Sequence, residues 1–515
     1  MSISPLKEVL SDVNEAQWRA ITHEGSHLLI VAGPGTGKTH LLAYRILRCA
    51  EHLKDYQRVL AVTFTNKAAR EMSERLSPHG VHLKNVVTVG TFHSFCLELL
   101  RQFNAYTSLP ADFKIAAPQE IEILTKEIWP DRSLKDRKNI LEGISRFKSA
   151  ALAGSLPEDV AAYDQFLRAK GFLDFDDLLL ESAQLLMRNA EIRTQIQDTY
   201  RYIFVDEYQD INPAQRTLLK ILVDKDVLLT AIGDPNQAIY GFRGADVQFF
   251  ENFAADFPGT ITMKLSENYR SAVNLLKASG QVIAKNEKAS LHTLNPQILT
   301  EGRLTIYTAP TDRAEAEYVV HQIEQMVGGT SMFSIDSGRV AAHTQAQVSF
   351  SDVAVLYRLN YQKNVLEEAL GRSGIPYRVS GDKPYYQMDL PQDSTPIEDG
   401  SQKVSLLTLH AAKGLEFGVV FIVGCEENLI PLRLKGFSFD LAEERRLFYV
   451  GMTRAKEKLF LLRAQQRYLY GQKYEQRPSL FLSDIEEELK AYEEAMARKS
   501  FKKKSHEKQL DLFSF

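Results

Sequence analysis

The chain has 515 residues, 62 Lys and Arg against 66 Asp and Glu, and 44% hydrophobic residues. That length holds roughly three or four folding units. No apolar run is long enough to cross a membrane, and the net charge of −4 by itself decides nothing about nucleic acid, since a motor can confine positive charge to a channel.

In chain order, the N-terminal stretch MSISPLKEVLSDVNEAQ has no basic region followed by an apolar core, so no signal peptide is expected. The first strand is predicted over 28–32, and a glycine-rich loop over 32–39 leads into an amphipathic helix from Leu41. Strands are predicted next at 58–64 and 86–90, then helices without strands from about 97 to 172, then strands at 202–206, 227–233 and 261–265. A second set follows at 304–308, 353–357, 376–380, 404–409, 419–424 and 459–463. β-rich runs alternating with helical stretches predict parallel sheets, here in two α/β domains of similar design. The Gly/Ser-rich stretch 328–350 reads as a loop, and 383–402 as a short polar connector. A charged helix is expected from 482 to 500, running into a basic tail with Arg498, Lys499, Lys502, Lys503, Lys504 and Lys508. Cys49, Cys96 and Cys425 are too far apart for a CxxC metal pair and are expected as reduced thiols of a cytoplasmic protein.

Four groups of residues carry chemistry. Ala32-Gly33-Pro34-Gly35-Thr36-Gly37-Lys38-Thr39 lies between strand and helix, the order in which backbone N–H groups wrap a triphosphate. Lys38 would reach the β- and γ-phosphates and Thr39 would ligate Mg²⁺. Asp206 and Glu207 end an apolar strand, where Asp206 can hold Mg²⁺ and Glu207 can polarise the attacking water. Gln237, in Gly233-Asp234-Pro235-Asn236-Gln237, can orient a γ-phosphate, although that pentapeptide alone is also an ordinary polar turn. Arg270 and Arg454 suit a transition state with charge spread over the γ-phosphoryl group, and each taken singly also reads as a surface ion-pair partner.

Taken together, the motifs resemble the UvrD/Rep/PcrA family of superfamily 1 helicases. The matching stretches, in order, are Asn14-Glu15-Ala16-Gln17, AGPGTGKT (32–39), TFTNKAAREM (63–72), GTFHSF (90–95), DFDDLL (174–179), VDEYQD (205–210), GDPNQAIYGFRGA (233–245), ENYRS (267–271), VLYRLN (355–360), TLHAAKGLEF (408–417) and EERRLFYVGMTRA (443–455). The resemblance implies two RecA-like parallel-sheet P-loop domains in tandem, with a helical insertion in the first. The first domain would take 1–96 and 173–262, the 1B-like insertion 97–172, and the second domain 263–382 and 403–482. A connector at 383–402 would replace the family's 2B subdomain, because a domain cannot fold in so few residues, and 483–515 would form the charged helix and tail.

By the same resemblance, Gln17 would hydrogen-bond adenine and Tyr269 would stack on it. Lys38 and Thr39 would bind phosphate and Mg²⁺, with Asp206 as metal ligand and Glu207 as catalytic base. Gln237, Arg270 and Arg454 would contact the γ-phosphate, and Glu416 would approach the ribose. His40 stands where the family usually has an arginine that contacts nucleotide. Phe64, His93, Tyr240 and Phe242 match positions on single-stranded DNA, in keeping with base stacking on aromatic faces, while Arg243 and Arg358 are candidates for strand contact or coupling between domains. The implied activity is that of an ATP-dependent 3′→5′ translocase and helicase on single-stranded and tailed duplex DNA, in repair or recombination. The alternative is a partner-recruited remodeller that strips proteins from single strands. In the tail, QLDLF resembles a peptide that docks on the sliding clamp, with Gln509, Leu510, Leu512 and Phe513 as contacts, and the spacing of Gln509, Leu512 and Phe515 fits such peptides too.

Overall fold

The computed structural model describes residues 13–79, 83–150, 157–287, 293–328, 348–380, 402–433, 439–469 and 472–494. Two sheets organise them. The first contains β1 (Leu28–Ala32), β2 (Arg58–Thr63), β3 (Val87–Thr91), β4 (Tyr200–Val205), β5 (Leu228–Gly233) and β6 (Ile261–Leu265), in the order β3-β2-β4-β5-β1-β6. Every pairing in it is parallel. A parallel strand is covered on both faces and reads as a continuous apolar run. The sequence LLIVA of β1 does so, and all five residues are buried. Edge strand β6 shows the opposite, with only Leu265 buried.

The second sheet contains β7 (Arg303–Thr311), β8 (Val353–Tyr357), β9 (Tyr377–Ser380), β10 (Val404–Thr408), β11 (Phe417–Ile422), β12 (Ala455–Leu469), β13 (Gln472–Glu475) and β14 (Ala491–Glu494). Its order is β9-β10-β8-β11-β12-β7-β14, all parallel, with β13 folding back antiparallel on β12. Tandem RecA-like α/β architecture is therefore what this chain adopts. The apolar cores of the two halves also meet: Ile239 and Tyr240, just beyond β5, pack with Leu409, Ala412 and Phe448 of the second half.

Two expectations from the sequence are corrected. The charged helix expected over 482–500 is not formed within the described residues. Leu480–Ser483 makes one helical turn, Glu487–Leu489 a 3-10 turn, and Ala491–Glu494 the edge strand β14. Tertiary pairing outweighs local propensity here, because β14 completes the ladder of β7 while Glu493 accepts from Arg303 and Tyr318. The stretch 97–172 also contains strand, a short parallel pair of Lys114–Ile115 with Phe172–Leu173.

Otherwise that stretch is helical. After α1 (Glu15–Thr22) and α2 (Lys38–Ala50) of the first half, it holds the end of α3 (Phe92–Gln102), then α4 (Pro118–Ile128), α5 (Leu134–Ala150) and α6 (Glu158–Ala169), and its own small core includes Leu124, Ile144, Tyr163 and Leu167. The helix α7 (Phe175–Arg188), opened by the DFDD sequence, is fastened to it through a buried lysine. Lys148 Nζ on α5 lies 2.6 Å from Asp164, 2.8 Å from Asp174 and 2.6 Å from Asp177. Among the described residues these three aspartates are the only metal-type cluster, and Lys148 already supplies their cation. Most of the connector at 383–402, the loop core at 329–347 and the tail with Gln509, Leu510, Leu512 and Phe513 fall outside the described residues.

A candidate nucleotide site and the aromatic cluster beside it

Local chemistry builds the loop after β1. Gly35 and Gly37 adopt φ of +70° and +79°, the left-handed region glycine enters without strain. The Thr36 hydroxyl donates to Gly33 O at 2.8 Å, and Lys38 Nζ donates to Ala32 O at 3.1 Å. The loop ends at the N-terminus of the helix Lys38–Ala50, whose free backbone N–H groups and dipole favour an anion. A cavity of about 840 Å³ opens here, lined by Gly33, Pro34, Gly35, Thr36, Gly37, Lys38, Thr39 and His40 from one half and by Gly414, Glu416 and Arg454 from the other. Glu207, Gln237, Tyr269 and Arg270 line the same space. The fold thus gathers positions from both ends of the sequence around one cavity. Ala32, Gln17 and Asp206 are buried and do not line it.

The carboxylate pair is differentiated by its surroundings. Burial first, and the charge of Glu207 second, push the Asp206 carboxyl up to about 7. Burial also acts against the Glu207 charge, but Lys38, Lys413, the Gln209 amide and Arg454 more than offset it and hold Glu207 down at about 2. Glu207 is therefore the ionised member, suited to orienting a water. It occupies φ +51°, a left-handed conformation unusual for a non-glycine residue, with its N–H donating to Asp206 Oδ1 at 2.9 Å. Asp206 and the Thr39 hydroxyl offer oxygen ligands of the kind a hard divalent cation takes, and a buried carboxyl pushed toward neutrality is one that a cation would ionise.

Across the cleft, Arg454 is fully buried and already in contact with the first half. Its guanidinium donates to Gln237 Oε1 at 3.2 Å, to Val450 O at 2.9 Å and to Leu415 O at 3.1 Å. Gln237 in turn donates to Asp234 at 2.7 Å. Burial and the neighbouring Arg270 lower Arg454 to about 9, which leaves it charged at neutral pH. Arg270 is held differently. Its Nε donates to Glu416 at 2.8 Å, and Lys456 Nζ reaches the other oxygen of Glu416 at 2.7 Å. Glu416 is thus an ion-pair partner of two cations in this conformation. The His40 ring meets Tyr44 edge-on at 4.4 Å.

The aromatic candidates divide. Tyr240 is 4% exposed and stacks on Phe64 at 4.9 Å. Phe242 is 59% exposed, and the Arg243 guanidinium lies 5.1 Å from the Tyr240 ring and 5.3 Å from that of Phe242. These form one cluster. His93 does not join it: it is buried edge-on against Phe175 at 5.8 Å. Arg358 is committed to a forked ion pair with Glu444, at 2.7 Å from its Nη2 and 3.2 Å from its Nε.

Of two residues that sequence reasoning passed over, one joins the cavity to the cluster and the other extends the cluster. Lys413, from the second half, donates to Asp210 and, at 2.8 Å, to Gln237 O; its Nζ lies 3.8 Å from Glu207 and 5.3 Å from the Tyr240 ring centre. His410 packs against Phe242 at 5.4 Å. Both lie inside the stretch 408–417 that carried the family match. A lysine and a histidine in a loop acquire a role only from neighbours that the sequence does not display.

Comparison with known proteins agrees with this geometry. A family model described as the UvrD/REP helicase N-terminal domain matches residues 13–258. One described as the UvrD-like helicase C-terminal domain matches 263–393 and 387–466. The ATP-dependent DNA helicase PcrA of Staphylococcus aureus (strain MRSA252) is 27% identical over 657 aligned positions, covering 94% of this chain and 87% of that protein. PcrA of Staphylococcus epidermidis (strain ATCC 12228 / FDA PCI 1200) is also 27% identical, over 98% of this chain and 90% of its own length. An alignment of 657 positions against 515 residues requires that the S. aureus protein carry well over a hundred residues absent here. Two family models that together span most of both sheets, and relatives aligned almost end to end, mean that this chain belongs to the UvrD/Rep/PcrA family of helicases.

Proposed function

We propose that this ATP-dependent DNA helicase is a cytoplasmic motor that moves 3′→5′ on single-stranded DNA and opens tailed duplexes in repair or recombination. The observation that carries the motor reading is Lys413, which pairs with Asp210 and Glu207 and lies against the Tyr240 ring of the aromatic cluster, all from the opposite half of the molecule. A shift of either half on ATP binding or hydrolysis must therefore rearrange contacts under Tyr240. The triphosphate lies along Gly33–Thr39 with Lys38 on its β- and γ-phosphates, and the base lies near Gln17, His40 and Tyr269. A Mg²⁺ ion held by Thr39 and Asp206 would neutralise developing phosphate charge. Glu207 orients the attacking water, while Gln237 and Arg454 meet the γ-phosphoryl group as a preformed pair. Arg270 reaches the same group by exchanging Glu416 for phosphate oxygens, which frees Glu416 for the ribose. Bases stack on Phe242 and the Phe64–Tyr240 pair, with Arg243 beside them.

The direction of travel and the pathway rest on likeness to the family. ATPase assays with single-stranded DNA, and unwinding assays with 3′- and 5′-tailed duplexes, test them. Single strands should stimulate hydrolysis and only the 3′ tail should support opening; hydrolysis indifferent to DNA would defeat the motor reading. A second reading, a partner-recruited remodeller that displaces proteins from single strands, is favoured by the residues that the longer relatives carry and this chain lacks. The two pieces matched by the C-terminal family model meet at 387–393, inside the connector expected to replace 2B, which supports placing the missing segment there. The sequence QLDLF, with Gln509, Leu510, Leu512 and Phe513, is the element assigned to docking on a partner such as a sliding clamp.

A further inference from the structure

Tyr269, read above as the ring beneath the nucleotide base, is 46% exposed, so packing alone does not set its plane. Hydrogen bonds hold it from both ends. At the backbone, Tyr269 N–H donates to Gly35 O at 2.8 Å and the neighbouring Asn268 side chain donates to Pro34 O at 2.7 Å, which docks this segment on the phosphate loop. The approach is close: a Cβ at Gly35 would come within 2.7 Å of Arg270 Cβ. At the ring's far end, the Tyr269 hydroxyl donates to the Glu267 carboxylate and accepts from Asn14 Nδ2 at 3.0 Å. Asn14 Nδ2 also reaches that same Glu267 oxygen at 3.0 Å, closing a three-membered network.

The network is anchored. Asn14 caps the helix Glu15–Thr22, its Oδ1 accepting from Gln17 N at 2.8 Å while Gln17 Oε1 accepts from Asn14 N at 2.9 Å. Gln17 Nε2 then donates to Thr36 O of the phosphate loop at 3.0 Å. This reciprocal cap fixes Asn14, and Asn14 fixes the tyrosine from the first half of the molecule, although Tyr269 belongs to the segment leading into the second.

We propose that Glu267 and Asn14 are positioning residues for the nucleotide base. They hold the Tyr269 ring in the plane in which a base stacks, so that binding does not have to order an exposed side chain. This inference rests on the reading of Tyr269 as the base platform. The test compares the full-length protein with Glu267→Ala, Glu267→Gln, Tyr269→Phe and Tyr269→Ala. KM for ATP is measured beside inhibition by inorganic tripolyphosphate, which offers phosphates and no base. Losing the hydroxyl network should raise KM for ATP by about two- to tenfold in Glu267→Ala and Tyr269→Phe, the worth of one net hydrogen bond. Tripolyphosphate inhibition should stay unchanged, and Glu267→Gln, which keeps an acceptor for the hydroxyl, should recover most of the loss. If only Tyr269→Ala weakens ATP, the platform stands and the positioning role is overturned. If Tyr269→Ala matches the native protein, the platform reading itself fails. Equal weakening of tripolyphosphate in Glu267→Ala would assign Glu267 to the phosphate loop instead and would also overturn the proposal.

Discussion

Glu207 and Asp206 are adjacent carboxylates with opposite electrostatic fates, and the difference comes from where Lys38, Lys413 and Arg454 lie. Glu207→Gln keeps the shape and removes the charge proposed to orient water. ATP hydrolysis should fall by at least about a hundredfold, while a fluorescent ATP analogue, read by anisotropy, should still bind. His410 offers a pH test. Burial first, then Arg358, Arg243 and Lys413, push its imidazole well below the usual range. The folded protein therefore keeps it neutral while the unfolded chain takes up a proton near pH 6.5. Its contribution to stability is complete above that pH and is lost as pH falls below it. Urea melts at pH 7.5 and 5.5 should show a smaller acid loss in His410→Asn than in the native protein.

At the scale of elements, the helical insertion is joined to α7 by a lysine that the sequence presents as one charge among many. Lys148 has no exposed side-chain surface, and its three aspartates are themselves almost wholly buried. Replacing it with methionine would strand carboxylates without a counter-charge. The expected loss is about 3–5 kcal/mol in denaturant unfolding. The edge strand β14 makes the complementary point. Residues 491–494 lie in a run whose charged composition suggests helix, yet they finish a sheet whose other strands come from as far back as residue 303.

For the whole molecule, the cleft between the sheets holds both the proposed nucleotide site and the contacts that lead to the aromatic cluster. If the relatives' extra residues serve strand separation, the isolated protein should travel on single strands yet open a 3′-tailed duplex slowly. Streptavidin displacement from a biotinylated strand end, run beside strand separation on the same DNA, would measure the difference. Displacement should exceed unwinding by about tenfold or more, the scale of 1.4 kcal/mol at a rate-limiting barrier. Comparable rates would restore the ordinary helicase reading.

Much of this molecule was legible in its sequence because its signals are local. Buried parallel strands must be apolar on both faces, so LLIVA and VAVLY announced β1 and β8. A phosphate loop must place glycines where the chain turns left-handed, and Gly35 and Gly37 do. Contacts between remote segments were not legible. That Arg270 rests on Glu416, that Arg454 already touches Gln237, and that Lys413 lies between Glu207 and Tyr240 are facts of two sheets facing each other. The sequence by itself determined the two sheets, the phosphate loop and the family. Only the tertiary structure decided which charges meet, because pairing across a cleft depends on distances between chain segments that local residue patterns do not encode.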